Sequence, residues 1–167
     1  AYISECNAVF ICVPTPYTIQ RSPDLSYIVA ATESIAPYLH RNQLIVLQST
    51  TYPGTTTEDV QPILERVSGL SAKSDFYLAF SPERIDPGNK TWSAHNTPKV
   101  VGGVTEEATH RAAALLRQMG TTVHEVSSSA AAEFTKLLEN TFRSVNIALV
   151  NELAQLAERM DLDIWEI

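Results

Sequence analysis

The sequence has no run of about 18 apolar residues, so it offers no membrane-spanning helix. No signal peptide is visible at its start. Basic excess is missing too: 12 Lys and Arg stand against 19 Asp and Glu, a net charge of −7. That balance argues against a general nucleic-acid or anionic-membrane binder. A small anionic ligand stays compatible, because a pocket needs only a few local cations. Cysteine is scarce. Cys6 and Cys12 form no C-x-x-C and have no histidine partner nearby, which excludes a disulfide framework and a zinc site. They read as buried free thiols of a cytoplasmic protein. His40, His95, His110 and His124 are scattered without ligand spacing and read as structural or solvated, so no metal site is expected. Only six glycines occur, and none forms G-x-G-x-x-G. The Gly102-Gly103 pair follows a short late strand instead of opening a helix.

At 167 residues, 44% hydrophobic and 19% charged, the chain has an ordinary soluble composition and length for one domain with a sizeable core. It starts at Ala1 without an initiator Met and ends at Asp163-Ile-Trp-Glu-Ile167 in helix-like sequence, so it reads as a segment of a longer protein.

Apolar runs and helical patterns alternate along it. Ala8–Val13, Leu44–Leu47, Phe76–Phe80, Lys99–Val101 and Thr122–Val126 are expected strands. Helices are expected from Ser22-Pro23 to about His40, bent at Pro37, and from about Thr57 to Val67. A third is expected from Thr105 to Gly120, with acids in its first turn and Arg117 in its last. Ser127–Ser129 open a long helix to about Met160. The pattern implies an α/β fold, a doubly wound parallel sheet with helices on both faces. There is no internal repeat and no low-complexity segment.

Ligands of such sheets bind outside the carboxyl ends of the strands. Thr15 follows the first strand, Ser49 and Thr50 the second, and Ser81 and Glu83 the third. Single hydroxyls end strands in many turns; together they point to a site. The long helix adds a second signal. Lys136, Asn140 and Arg143 stand at i, i+4 and i+7, on one helical face. Apolar Phe134, Leu137, Leu138, Phe142 and Val145 beside them imply partial burial. Buried cations need partners, which a bound anionic substrate or Glu and Asp side chains would equally supply.

Four ordered motifs then carry a family resemblance: Val13-Pro-Thr-Pro16, Ser49-Thr-Thr-Tyr-Pro-Gly54, Ser81-Pro-Glu-Arg-Ile-Asp-Pro-Gly88 and Lys136-Leu-Leu-Glu-Asn140. In this order they resemble the UDP-glucose/GDP-mannose dehydrogenases, and the Ser-Pro-Glu-Arg form resembles the branch acting on UDP-N-acetylhexosamines. The UDP-glucose branch has a second acid four residues after the Glu, where this chain has Pro87 beside Asp86. The resemblance implies NAD as cofactor and a UDP-sugar as substrate, UDP-N-acetylglucosamine above others. It implies a partial Rossmann-type NAD domain over 1–127, and over 128–167 the start of a central helical domain that forms a homodimer. The apolar series Ile147, Val150, Leu153, Leu156 and Ala157 is then either intrachain core or subunit interface.

The family oxidises a C6 alcohol to a carboxylate in two hydride transfers, through an aldehyde and a cysteine thioester. By resemblance, Thr15 and Thr50 contact NAD, with Thr50 also holding a catalytic water. Glu83 is the acid/base that assists thioester hydrolysis. Arg84 and Ile85 line the sugar-nucleotide pocket. Lys136 stabilises the alkoxide at the C6 oxygen or relays its proton, Asn140 orients that oxygen or the water, and Arg143 contacts the substrate's phosphate or sugar. The family's glycine-rich fingerprint and its nucleophilic cysteine are absent here, so the segment alone is expected to be inactive. A β-hydroxyacid dehydrogenase, which shares the Lys-x-x-x-Asn helix, and a non-catalytic sugar-nucleotide binding or dimerisation module are the alternatives.

Overall fold

The structure, a computed structural model, describes residues 2–20, 22–84, 91 and 96–167. The chain divides into two compact units, Ala1–Lys136 and Leu137–Ile167. Among the described residues no helix is long and apolar enough to cross a membrane.

The first unit is a five-stranded sheet in sequence order: β1 (Ala8–Ile11), β2 (Leu44–Leu47), β3 (Tyr77–Phe80), β4 (Lys99–Gly103) and β5 (Val123–Glu125). Helices α1 (Ser26–Ile35), α2 (Gln61–Ser68) and α3 (Glu106–Arg117) connect them, and α4 (Ser129–Arg159) follows β5. The interior strand β2 is Leu-Ile-Val-Leu and is buried throughout. Its alternate side chains serve two cores. Ile45 and Leu47 join Ile28 of α1 and Leu64 of α2 on one face. Leu44 and Val46 join Ala112, Ala113 and Leu116 of α3 on the other. A continuous apolar run is what a strand covered on both faces requires.

The sheet is not wholly parallel. β1, β2 and β3 pair in parallel, as do β4 and β5, but β4 runs antiparallel to β3 with Ala79 opposite Gly103 and Phe80 opposite Gly102. A parallel neighbour needs a crossover, usually a helix. Among the described residues no helix stands between β3 and β4. Strand periodicity carries no sign of direction, so the apolar pattern reads the same either way.

Local chemistry explains the helix ends. Pro37 shortens α1, whose last turn tightens to a 3-10 turn over Ala36–Tyr38. The Thr105 hydroxyl accepts the Ala108 amide at the start of α3, with Glu106 and Glu107 in the first turn. Before α2 the chain widens to a π turn over Thr55–Val60, entered through Gly54 at φ 106°. Gly102 permits a close approach: a Cβ there would collide with the carbonyl of Ser128, at the opening of α4.

In the second unit α4 continues to Arg159, and every residue from Asn140 to Leu153 is exposed. Phe142 (69%), Val145 (60%) and Ile147 (55%) are more than half exposed, so the partial burial expected there is not met within this chain.

Candidate functional site

The carboxyl ends of β1, β2 and β3 open onto a cleft of about 450 Å³ lined by Cys12, Thr15, Gln48, Ser49, Thr50 and Glu83, among others. Three residues expected at a site, Thr15, Thr50 and Glu83, are therefore brought together. The buried strand-end serines work differently. The Ser49 hydroxyl donates to the Val13 carbonyl at 2.8 Å and accepts the Val13 amide at 2.9 Å, tying the ends of β1 and β2 together. The Ser81 hydroxyl donates to the Val100 carbonyl at 2.8 Å. Both hydroxyls are spent on backbone: Ser49 borders the cleft with its hydroxyl already bonded, and Ser81 is buried behind it.

Glu83 is the point of convergence. The ammonium of Lys99 lies 3.0 Å from its Oε1 and 2.9 Å from its Oε2. Gln48 Nε2 donates to Oε2 at 3.3 Å, and the Arg84 amide donates to Oε1 at 2.7 Å. Lys136 Nζ donates to the Glu83 main-chain carbonyl at 2.7 Å. Lys136 thus meets a main-chain carbonyl within the protein. The Arg84 guanidinium donates to the Pro98 carbonyl at 2.9 Å. Ile85 and the branch-marking Asp86 and Pro87 lie outside the described residues, as do Trp92 and His95.

Asn140 and Arg143 belong to the second unit, where they line a cleft of about 440 Å³ with Ser144, Ile147, Ala148 and Asn151.

The thiols depart from expectation. Both Cys6 and Cys12 are free and exposed instead of buried. β1 ends at Ile11, so Cys12 falls just past the strand and into the cleft. Partial burial, and then the negative charge of Glu83, push the Cys12 thiol above its ordinary range. A thiol held protonated is a weak nucleophile. Cys12 is therefore poorly suited to covalent catalysis although it borders the site.

Three residues of the arrangement gave no sequence signal as site residues. Gln48 and Lys99 sit at strand ends, and only the sheet brings them to Glu83. Glu133, fully buried, accepts hydrogen bonds from the Gly54 amide at 2.7 Å, the Thr56 amide at 2.9 Å and the Thr56 hydroxyl at 2.6 Å. It pins the first turns of α4 to the loop that carries Thr50.

Comparison with known proteins places the chain in a family. Residues 1–120 match the NAD binding domain of the UDP-glucose/GDP-mannose dehydrogenase family, and residues 130–167 match that family's central domain. The UDP-N-acetyl-D-glucosamine 6-dehydrogenase of Pseudomonas aeruginosa is 42% identical over 162 residues, 96% of this chain and 38% of that protein. The UDP-N-acetyl-D-mannosamine dehydrogenase of Pyrococcus horikoshii is 39% identical over 160 residues, again covering 96% of this chain and 38% of that protein. A solved structure of the UDP-D-ManNAc dehydrogenase from Pyrococcus horikoshii superposes with a TM-score of 0.87 at 39% identity, over 96% of this chain and 38% of that one. The chain thus spans well under half the length of the relatives it matches.

Proposed function

The chain belongs to the UDP-glucose/GDP-mannose dehydrogenase family, and from that premise we propose that its full-length protein oxidises the C6 alcohol of a UDP-N-acetylhexosamine to the acid. The observation that carries this reading is the convergence of Lys99 and Lys136 on Glu83 at the cleft that Thr15 and Thr50 line.

The cleft suits part of a dinucleotide. It lies at the carboxyl ends of parallel strands, and its volume is within the small-ligand range. These residues include no glycine-rich phosphate cradle, so Thr15 and Thr50 hold only a portion of the NAD. When bound, NAD supplies the hydride acceptor.

Lys136 stabilises negative charge as the C6 oxygen loses its proton. Its ammonium donates to the Glu83 main-chain carbonyl, beside the carboxylate that borders the cleft. Asn140 orients that oxygen or the attacking water, and Arg143 contacts the substrate's phosphate or sugar. Arg84 and Ile85 line the sugar pocket. Glu83 takes the proton of the hydrolytic water in the thioester step, with Thr50 holding that water. The domain boundary is placed at 127/128. The exposed apolar face of α4 supports a homodimer through the central helix.

Among sugars, UDP-N-acetylglucosamine is put first, supported by the Pseudomonas relative and by Pro87 where the glucose branch has an acid. The test is NADH yield on limiting UDP-N-acetylglucosamine with a full-length enzyme carrying these residues. Two NADH per sugar are expected. One NADH per sugar would remove the thioester step. None would move the substrate to UDP-N-acetylmannosamine, UDP-N-acetylgalactosamine or UDP-glucose.

A further inference from the structure

Lys99 is 3% exposed, whereas the side chain of its partner Glu83 is 41% exposed. An ammonium that deep needs a full complement of partners, or its burial is strongly unfavourable. Lys99 meets both carboxylate oxygens, at 3.0 and 2.9 Å. The more open partner is the carboxylate, which borders the cleft.

The antiparallel turn of the sheet produces this pair. Ala79 stands opposite Gly103 and Phe80 opposite Gly102. The bond from Ser81 to Val100 carries the two segments onward together, and two residues further Glu83 meets Lys99 at the start of β4. A parallel β4 would put its first residue at the other end of the sheet. The reversal of strand direction is thus what brings an ammonium to the carboxylate.

Among the described residues, Lys99 meets the Glu83 carboxylate as a charge partner, and the other neighbours meet Glu83 differently. From β2 comes the neutral amide of Gln48, and past β1 stands the protonated thiol of Cys12. From α4, Lys136 engages the main-chain carbonyl and not the carboxylate. Arg84 offers its amide to Oε1 and turns its guanidinium to Pro98.

We propose that Lys99 is a positioning residue that holds Glu83 ionised and aimed into the cleft, and thereby sets the lower pH limit of the hydrolytic step. The proposal rests on the reading of Glu83 as the hydrolytic base. In that step Glu83 takes a proton from water while the water oxygen bonds to the thioester carbon. Collapse breaks the C–S bond, and the proton passes to the departing thiolate, leaving a carboxylic acid and a free thiol. Only the ionised carboxylate can begin this sequence. A cation at 2.9 Å favours that form down to lower pH.

The experiment compares Lys99→Met, Lys99→Arg and Glu83→Gln in a full-length enzyme carrying these residues, using UDP-N-acetylglucosamine and NAD. The first hydride transfer, the hydrolytic step and the pH dependence of turnover are followed separately. In Lys99→Met, hydrolysis slows more than the first hydride transfer, and the acid limb of turnover moves up by about one pH unit. Lys99→Arg keeps the wild-type limb. Where Lys99→Met does not fold, Lys99→Gln is read in its place with the same expectation. An acid limb unmoved by loss of the charge, or moved equally by Lys99→Arg, overturns the proposal. Glu83→Gln keeps the two readings apart. Hydrolysis at the wild-type rate in that variant removes Glu83 from the reaction, and the proposal with it. Slowed hydrolysis there, beside an unmoved limb in Lys99→Met, overturns the role of Lys99 alone.

Discussion

Glu133 and Thr56, 77 positions apart, are joined twice: one carboxylate oxygen of Glu133 accepts both the amide and the hydroxyl of Thr56. The second oxygen accepts the Gly54 amide. The carboxylate therefore closes the amino end of the turn that leads into α2, where backbone donors lack partners and the helix dipole favours negative charge. Three residues along α4 stands Lys136, and four residues before Gly54 stands Thr50. One buried contact thus ties the segment that follows Thr50 to the helical turns that carry Lys136.

Replacing Glu133 tests that contact. Glu133→Ala leaves three buried donors unpaired and should destabilise the protein by about 3 kcal/mol or more. Glu133→Gln keeps the shape and one acceptor oxygen, and should lose about 1–2 kcal/mol. Chemical denaturation reads both. A near-neutral alanine variant would mean that water or a shifted loop satisfies these donors.

Lys136→Ala in the full-length enzyme should reduce turnover by about a hundred- to a thousandfold. NAD affinity should change little, because the ammonium acts at Glu83 and the sugar oxygen. Steady-state kinetics beside cofactor titration separate the two effects. Unchanged turnover would leave Lys136 as a structural donor to the Glu83 carbonyl and nothing more.

A surface cluster on α3 and β5 gives a pH prediction independent of the site. Arg117 and then His110 hydrogen-bond to Glu125 and hold its carboxyl below the ordinary range. The Glu125 hydrogen bond in turn raises His110 above its ordinary value. The Glu125 contribution is present above its unfolded pKa and is lost as pH falls through the folded one. The His110 contribution is present below its unfolded pKa and is lost as pH rises through the folded one. The two coexist between about pH 4.5 and 6.5. An NMR titration should find His110 above about 6.5 in the wild type and nearer that value in Glu125→Gln. An identical His110 titration in both proteins would rule out the pairing.

Sequence reading succeeded where one residue type has one physical use. The apolar run Leu44–Leu47 is the buried strand β2, as its composition led one to expect, and Thr15, Thr50 and Glu83 follow strand ends that the fold gathers at one cleft. It failed where long-range placement decides. Lys99 opens a short apolar strand, and nothing local marks it as the partner of a residue 16 positions earlier. Glu133 was part of a helical pattern, yet its use lies in a loop far back in the chain. The direction of β4 left no trace in periodicity. The apolar residues of α4 suggested burial because side-chain character reports a preference, while the covering surface must come from elsewhere.

The central claim is that Glu83 serves the hydrolysis of a thioester, and Glu83→Gln tests it most directly. The full-length variant is mixed with NAD and UDP-N-acetylglucosamine and its intact mass is measured over time. The account predicts a slowed enzyme that accumulates a covalent sugar-nucleotide adduct, because the thioester still forms and its hydrolysis stalls. A slowed enzyme with no adduct would contradict it and take the hydrolytic role away from Glu83.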